Sequence, residues 1–399
     1  MNKDALALRN RHLTEAFHTT SLTEQLRHIG LRFVAQLPIS AQRGGNGRIL
    51  VIRPDHLGDV LLTLPALRRL REKAPHAEIH ALVGPWSAEV LAPIPEIDLV
   101  LTLPFPGFTR EEESGLIDPY VLAVQTARHL RRVGYDQAYI LRRDHWWGAL
   151  VAFLAGIPER IGYDLTDTGM FLTDAQPYRH GHAAAASLRL VDRVAAAAPA
   201  SNQRYPIDDD ALQDVEALLR RGGLKPFQKY IVIHVGSGAE IKNWGAEKWA
   251  KIGGALCDDQ DCMPVLTGGA HEQTAAEQIE AAMGRPTINL AGVTNLPRLA
   301  AVLGGAQLAL GSDSGPMHLA AAVGTPTVTL FGAADPDEFR PWGNPEIHRI
   351  VVSDIACRPC RVLDWSGDDL AFHPCVRDIS VAQVLDSARR VLNAASLPG

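Results

Sequence analysis

The stretch "GSDSGPMHLAAAVGTPTVTLFG" gathers Asp313, Ser314, Gly315 and His318 between two apolar runs. Read as strand, turn, helix and strand, it puts these residues at a helix start. Ser314 or Asp313 is then available as a cap, Gly315 lets the backbone approach a ligand, and Pro316 is tolerated in a first turn. Free N–H groups and the positive end of the helix dipole make such a turn a seat for an anion, and His318, one turn further in, adds a charge-assisted donor. The same spacing also describes an ordinary capped helix with a surface histidine. Two further loops supply complementary chemistry. "VGSGAEIKNW" offers Ser237 and Gly238 as hydroxyl and backbone donors and Lys242 as a mobile cation, while "TGGAHEQ" offers Glu272, suited to accepting from ribose hydroxyls. Lys242 as a solvated surface residue and Glu272 as a first-turn helix carboxylate are the plainer alternatives.

These loops need elements to hold them. From Arg48 onward, short β-rich runs ("RILVIR", "EIHALVG", "DLVLTL", "QAYIL", "ERIGY") alternate with helical patterns of ten to fifteen residues, the signature of βαβ units around a parallel sheet. The Pro, Asn and Asp cluster "PASNQRYPIDDD" marks a boundary near residues 199–210, and a second series follows ("KYIVIHVG", "MPVLTGG", "TINLAG", "QLALGSD", "TPTVTLFG"). In such sheets ligands bind outside the carboxyl ends of the strands. Two α/β domains, residues 46–204 and 205–380, are expected to face a central cleft. Before them, residues 1–45 read as a helical extension in which Leu22, Leu26, Ile29, Phe33 and Leu37 fall at helical spacing. Docking of that stripe on its own domain and docking on a membrane surface both fit the pattern.

The chain has 399 residues, 46 % hydrophobic, and a formal net charge of −6. That length supports two full cores, and that charge gives no general field for nucleic acid. The start "MNKDALALRNRHLTEAF" lacks a secretory pattern and no run of eighteen apolar residues occurs, so a cytoplasmic location is expected, with peripheral contact at the inner membrane face as a further option. Five cysteines, an odd number, do not read as a secreted disulfide framework. Cys357, Cys360 and Cys375, with His373 as a fourth candidate, form a partial ligand pattern for structural zinc, short of a full four-ligand signature; no catalytic metal is expected.

Two segments together resemble a known family. "ILVIRPDHLGDVLLTLPALRRLREKAPHAEIHALV" is similar to the opening signature of glycosyltransferase family 9, the bacterial heptosyltransferases of lipopolysaccharide core synthesis, and "GSDSGPMHLAAAVGTPTVTLFG" to its other signature. The resemblance implies a GT-B architecture, two Rossmann-like domains, with the acceptor on residues 46–204 and an ADP-sugar donor on 205–380. It also implies that the C-terminal helix, residues 381–399, crosses back to the first domain. Carried over residue by residue, Ser237, Gly238 and Lys242 would contact the donor diphosphate and Glu272 the ribose. Thr294 would lie near adenine, and Asp313, Ser314, Gly315 and His318 would line the sugar and phosphates. Asp59 would be the catalytic base, with Asp55 in reserve; a helix cap is its alternative job.

"RPDHLGD" departs from the family, where serines often precede "LGD", and sets Asp55 and His56 beside the acceptor path. Arg142, Arg143 and His145 in "YILRRDHWWG" are candidates for facing an anionic glycan or glycolipid acceptor, or else belong to a solvated loop beside core tryptophans. The implied function is inverting transfer of a sugar, heptose being the expected one, from an ADP-heptose-like donor, with no cofactor required. A GT-B epimerase and a non-catalytic sugar-nucleotide binder are the competing readings.

Overall fold

The run RILVIR is apolar on both faces, as a strand covered by helices on each side must be. It forms β1 (Arg48–Arg53), whose last five residues are all buried, in the computed structural model, which describes residues 8, 22–42, 44–109, 115, 117–194, 204–363 and 373–395. Around it lie β2 (Glu78–Val83), β3 (Leu99–Thr102), β4 (Gln137–Ile140), β5 (Glu159–Tyr163) and β6 (Asp174–Gln176), in the order β3-β2-β1-β4-β5-β6. Pairing is parallel, with Ile49 opposite both Ile79 and Gln137. A second sheet contains β7 (Lys229–His234), β8 (Cys262–Thr267), β9 (Ile288–Asn289), β10 (Ala309–Ser312), β11 (Thr327–Phe331) and β12 (His348–Val352). Its order is β12-β11-β10-β7-β8-β9. Counted from the first strand of each, both sheets read 3-2-1-4-5-6, the doubly wound order whose direction switches between the first and fourth strands.

Contacts divide the chain into one unit holding Thr20–Ser201 and another holding Asn202–Gly399. Residues 199–203, within the expected boundary region, lie outside the described residues, as do most of residues 1–21. The helices used below are α1 (Leu22–Val34), α2 (Leu57–Leu61), α3 (Asp118–Val133), α4 (Trp146–Leu154), α5 (Ala246–Gln260), α6 (Gln273–Met283), α7 (Gly315–Ala322) and α8 (Val381–Ala395).

Two expectations about the ends of the chain need correction. From α1 onward the N-terminal segment is part of the first unit rather than a separate extension, because Leu31 enters the core with Leu50, Ile52, Ile140 and Trp147. The stripe singled out from spacing does the opposite: Leu22, Leu26, Ile29, Phe33 and Leu37 are all exposed. At the other end, α8 turns Val384, Ala388, Val391 and Leu392 into the core of the second unit, alongside Trp249, Ile252 and Leu330. Its apolar face is therefore used within the unit that precedes it in sequence, where a crossing to the first had been expected. Among the described residues no helix is long and apolar enough to cross a membrane.

Candidate functional site

In the first unit the loop after β1 and the loop after β4 flank the switch point, where a doubly wound sheet leaves room for ligands. Asp55 stands in the first of these and is 2 % exposed. Its Oδ2 lies 2.8 Å from Arg53 Nε, and its Oδ1 accepts from Arg142 Nη1. Burial alone would push the Asp55 carboxyl up, but the guanidiniums of Arg53 and Arg142 overcome it and hold the group below the ordinary carboxylate value. The loop backbone is pinned as well: Ser87 Oγ donates to the Asp55 carbonyl at 2.7 Å, and Trp86 Nε1 donates to it at 3.1 Å. His56 packs its ring against Trp86, with centroids 5.5 Å apart.

Asp59 follows in the first turn of α2, its side chain about one-third exposed, with Oδ1 3.8 Å from Arg53 Nη2. The N-cap position of α2 belongs to His56, and Asp59 is the acidic residue of its first turn, a place where a carboxylate also favours the helix dipole. Arg142 is one-third exposed, lies over the Phe108 ring at 5.0 Å and pairs through Nε with Asp144 at 2.7 Å. This brings Asp55, Asp59 and Arg142 together around Arg53.

Three acceptor-side expectations change. Asp55 is a poor reserve base, since a carboxylate held low by two guanidiniums resists protonation. Arg143 stacks over Tyr178 at 5.0 Å and donates to its hydroxyl. His145 faces no solvent: burial pushes its imidazole down to about 3, and it packs edge-on against Phe105 and Phe108 at 5.3 and 5.8 Å. Sequence reasoning missed Arg53. A cation closing an apolar strand just before "PDHLGD" was the available signal.

In the second unit the loops after β7 and β10 flank the other switch point. Lys242, in the turn Glu240–Lys242, places Nζ 2.7 Å from Asp313 Oδ2 and 3.1 Å from the Asp313 carbonyl, joining the two loops. Ser312 Oγ donates to the Lys242 carbonyl at 2.6 Å. The Ser237 hydroxyl has the Ala239 carbonyl and Asn243 Oδ1 both at 2.8 Å, so its single proton is shared between them. Asn243 was not singled out from the sequence. Gly238 has φ +70°, a left-handed conformation that favours glycine, so its identity follows from backbone geometry as well as from any ligand.

Ser314 is the N-cap residue of α7, yet its side chain makes no capping bond. Its Oγ and His318 Nδ1 are both buried without a hydrogen-bond partner among the described residues. Unpaired buried polar atoms cost roughly 1–3 kcal/mol each, and two of them stand at one helix start, next to a Lys–Asp pair. The histidine is neutral rather than cationic. Burial pushes it down to about 4, Asp313 pulling it up and Lys242 pushing it further down. It can offer a neutral hydrogen bond, and the charge-assisted donor expected from sequence is withdrawn.

Glu272 caps its own turn by accepting from the Gly269 N–H. Its carboxylate also lies over Gly236, where a Cβ would stand 2.3 Å from Oε1, so a larger residue there would have to displace the Glu272 side chain. Thr294 is half-buried, and its turn is tied to the Glu272 loop by the Gly292 N–H donating to the Gly268 carbonyl at 2.8 Å. All the donor-side candidates thus occupy one continuous edge of the second sheet.

Cys357, Cys360, Cys375 and His373 are buried in the same unit. No three of their ligand atoms come within 4.8 Å of one another, so these side chains do not form a ligand set as they stand.

Lipopolysaccharide heptosyltransferase 3 of Escherichia coli (strain K12) is 29 % identical over 293 residues, covering 71 % of this chain and 82 % of that protein. The glycosyl transferase family 9 structure from Veillonella parvula superposes with a TM-score of 0.72 at 22 % identity, covering 89 % of this chain and all of that one. E. coli ADP-heptose lps heptosyltransferase II follows at 0.68 and 22 %, covering 88 % of this chain and all of that one. These two likenesses establish the GT-B fold class. The model of glycosyltransferase family 9 (heptosyltransferase) matches residues 123–366, more than half of the chain, and the match decides for a transferase over an epimerase or a silent binder. The chain belongs to glycosyltransferase family 9, the heptosyltransferase family.

Proposed function

We propose that this chain transfers heptose, with inversion, from ADP-heptose to an anionic lipopolysaccharide-core acceptor, at the cytoplasmic face of a membrane. The observation that carries the donor half is the pair of unsatisfied buried atoms, Ser314 Oγ and His318 Nδ1, at the start of α7 beside Lys242. A diphosphate there gains the helix dipole, free N–H groups, a hydroxyl and an ammonium, while Glu272 and Thr294 on the adjoining loops receive ribose and adenine. The relatives named above, one of them an ADP-heptose enzyme by description, support the choice of sugar and acceptor.

In the proposed step Asp59 takes the proton from an acceptor hydroxyl. That oxygen forms the new bond to the anomeric carbon as the bond to the diphosphate oxygen breaks on the opposite face, and ADP leaves with the electron pair. Charge gathering on the leaving phosphate meets the α7 terminus and Lys242. The atoms balance without a redox or carrier cofactor. Arg142, fixed by Asp55 and resting on Phe108, presents a guanidinium to an anionic acceptor near Asp59.

Calorimetric titration with ADP-heptose tests the donor half. Lys242→Ala is expected to weaken binding by about 1–3 kcal/mol, as for a hydrogen bond to a charged group, and His318→Ala by about 0.5–1.5 kcal/mol, as for a neutral one. Unchanged curves for both variants would overturn the assignment.

A further inference from the structure

Most apolar stripes on surface helices point inward, and α1 breaks that rule. Leu22, Leu26, Ile29 and Phe33 fall within a roughly 60° arc at 100° per residue, and all four are between 53 % and 78 % exposed. The helix is nonetheless firmly seated. Leu31 on the opposite side is 1 % exposed, and Arg27 and His28 both grip Asp167, at 3.1 and 2.7 Å.

Its neighbour α3 continues the surface. Ile117, Val121 and Val124 are exposed, and the same arc of α3 goes on into Arg128, Arg131 and Arg132, also exposed. The two helices are linked through intermediates: Arg27 of α1 lies 5.2 Å over Trp146 of α4, whose ring is 6.0 Å from that of Tyr120 on α3, and Arg131 Nη1 donates at 3.0 Å to the carbonyl of Ser40, in the loop that follows α1. Between Pro119 and Val133 there is no acidic residue, in a chain whose net charge is −6. Glu24 and Asp118, in the first turns of their helices, are the acidic residues that these two segments carry.

We infer that this face, formed by α1 and α3, docks the first unit on an anionic lipid bilayer. Leucine, isoleucine and phenylalanine enter the acyl boundary while Arg32, Arg128, Arg131 and Arg132 meet lipid phosphates. Charge complementarity argues for this occupant, because four exposed arginines lie beside the apolar arc, where a lipid surface presents phosphates next to acyl chains. The inference rests on the reading that the acceptor is lipid-linked, since docking would then bring Asp59 and its substrate to one surface.

The test uses the full chain in sedimentation with vesicles of phosphatidylglycerol and phosphatidylethanolamine, against vesicles of phosphatidylcholine. Wild type should prefer the anionic vesicles, and more weakly as salt is raised. Leu26→Asn with Phe33→Asn should cut the lipid affinity at least tenfold. Arg128→Gln with Arg132→Gln should cut it about twenty-five-fold, or about fivefold per arginine. All four positions are exposed, so thermal melting should stay at the wild-type value. ADP release is measured in parallel with a deacylated, soluble core acceptor. Wild type that turns over the soluble acceptor but ignores anionic vesicles overturns the docking face and leaves transfer standing; vesicle binding lost in the variants, without turnover on any acceptor, supports the face and overturns the transfer reading. Equal vesicle binding by wild type and both variants overturns the inference, as does an apolar variant that dissolves an oligomer while binding vesicles unchanged.

Discussion

Exchanging Asp59 for Asn is expected to lower turnover by roughly two to four orders of magnitude while the protein folds and binds donor almost as before. The substitution keeps the shape of the side chain and removes its ability to take a proton. Asp59 stands in the first turn of α2, about one-third exposed, and the N-cap position there is occupied by His56. Donor affinity is expected to survive because the groups assigned to ADP-heptose, from Ser237 to His318, all lie in the other unit. Acceptor-dependent ADP release by a variant with an unchanged melting curve is the check, and near-normal turnover would mean that another group is the base.

Asp55→Ala is expected to give the largest loss of stability among the site variants. The Asp55 carboxylate is buried between Arg53 and Arg142, and the Arg53 side chain is itself only 8 % exposed. Removing the carboxylate strands a buried guanidinium, which costs about 3–5 kcal/mol and should lower the melting midpoint of the first unit by about 6–20 °C. The folded-state pKa of Asp55 is depressed, so its contribution is present above the ordinary value of 3.8 and is lost as pH falls through the lower folded value. Calorimetry at neutral pH checks this. A midpoint within about 2 °C of wild type would show that the two arginines do not depend on Asp55.

The same residues show what can be read from sequence and what cannot. Central strands such as RILVIR and KYIVIH declare themselves because both faces are buried, so apolar character runs without a break. The edge strands β6 and β12 were not recognised. DAQ is only three residues long and half-buried at best, and HRIVV follows a Pro- and Asn-rich loop with His348 and Arg349 at its head. The loop positions of Lys242, Asp313 and Glu272 were legible, because each stands where a strand hands over to a helix. Protonation was not. His318 and His145 looked like donors until the structure buried them, and burial decides their charge. The α1 stripe was visible as spacing, but spacing does not say which side of a helix meets the core; Leu31, between Ile29 and Phe33, turned out to be the anchor.

The most direct measurement is the release of ADP from ADP-heptose by the wild-type chain, with and without a heptose-deficient lipopolysaccharide core, followed by mass analysis of the core. The account predicts release that depends on the acceptor and a core heavier by one heptose. Donor binding with no acceptor-dependent release and no mass gain, across lipid-linked and soluble cores, would contradict it.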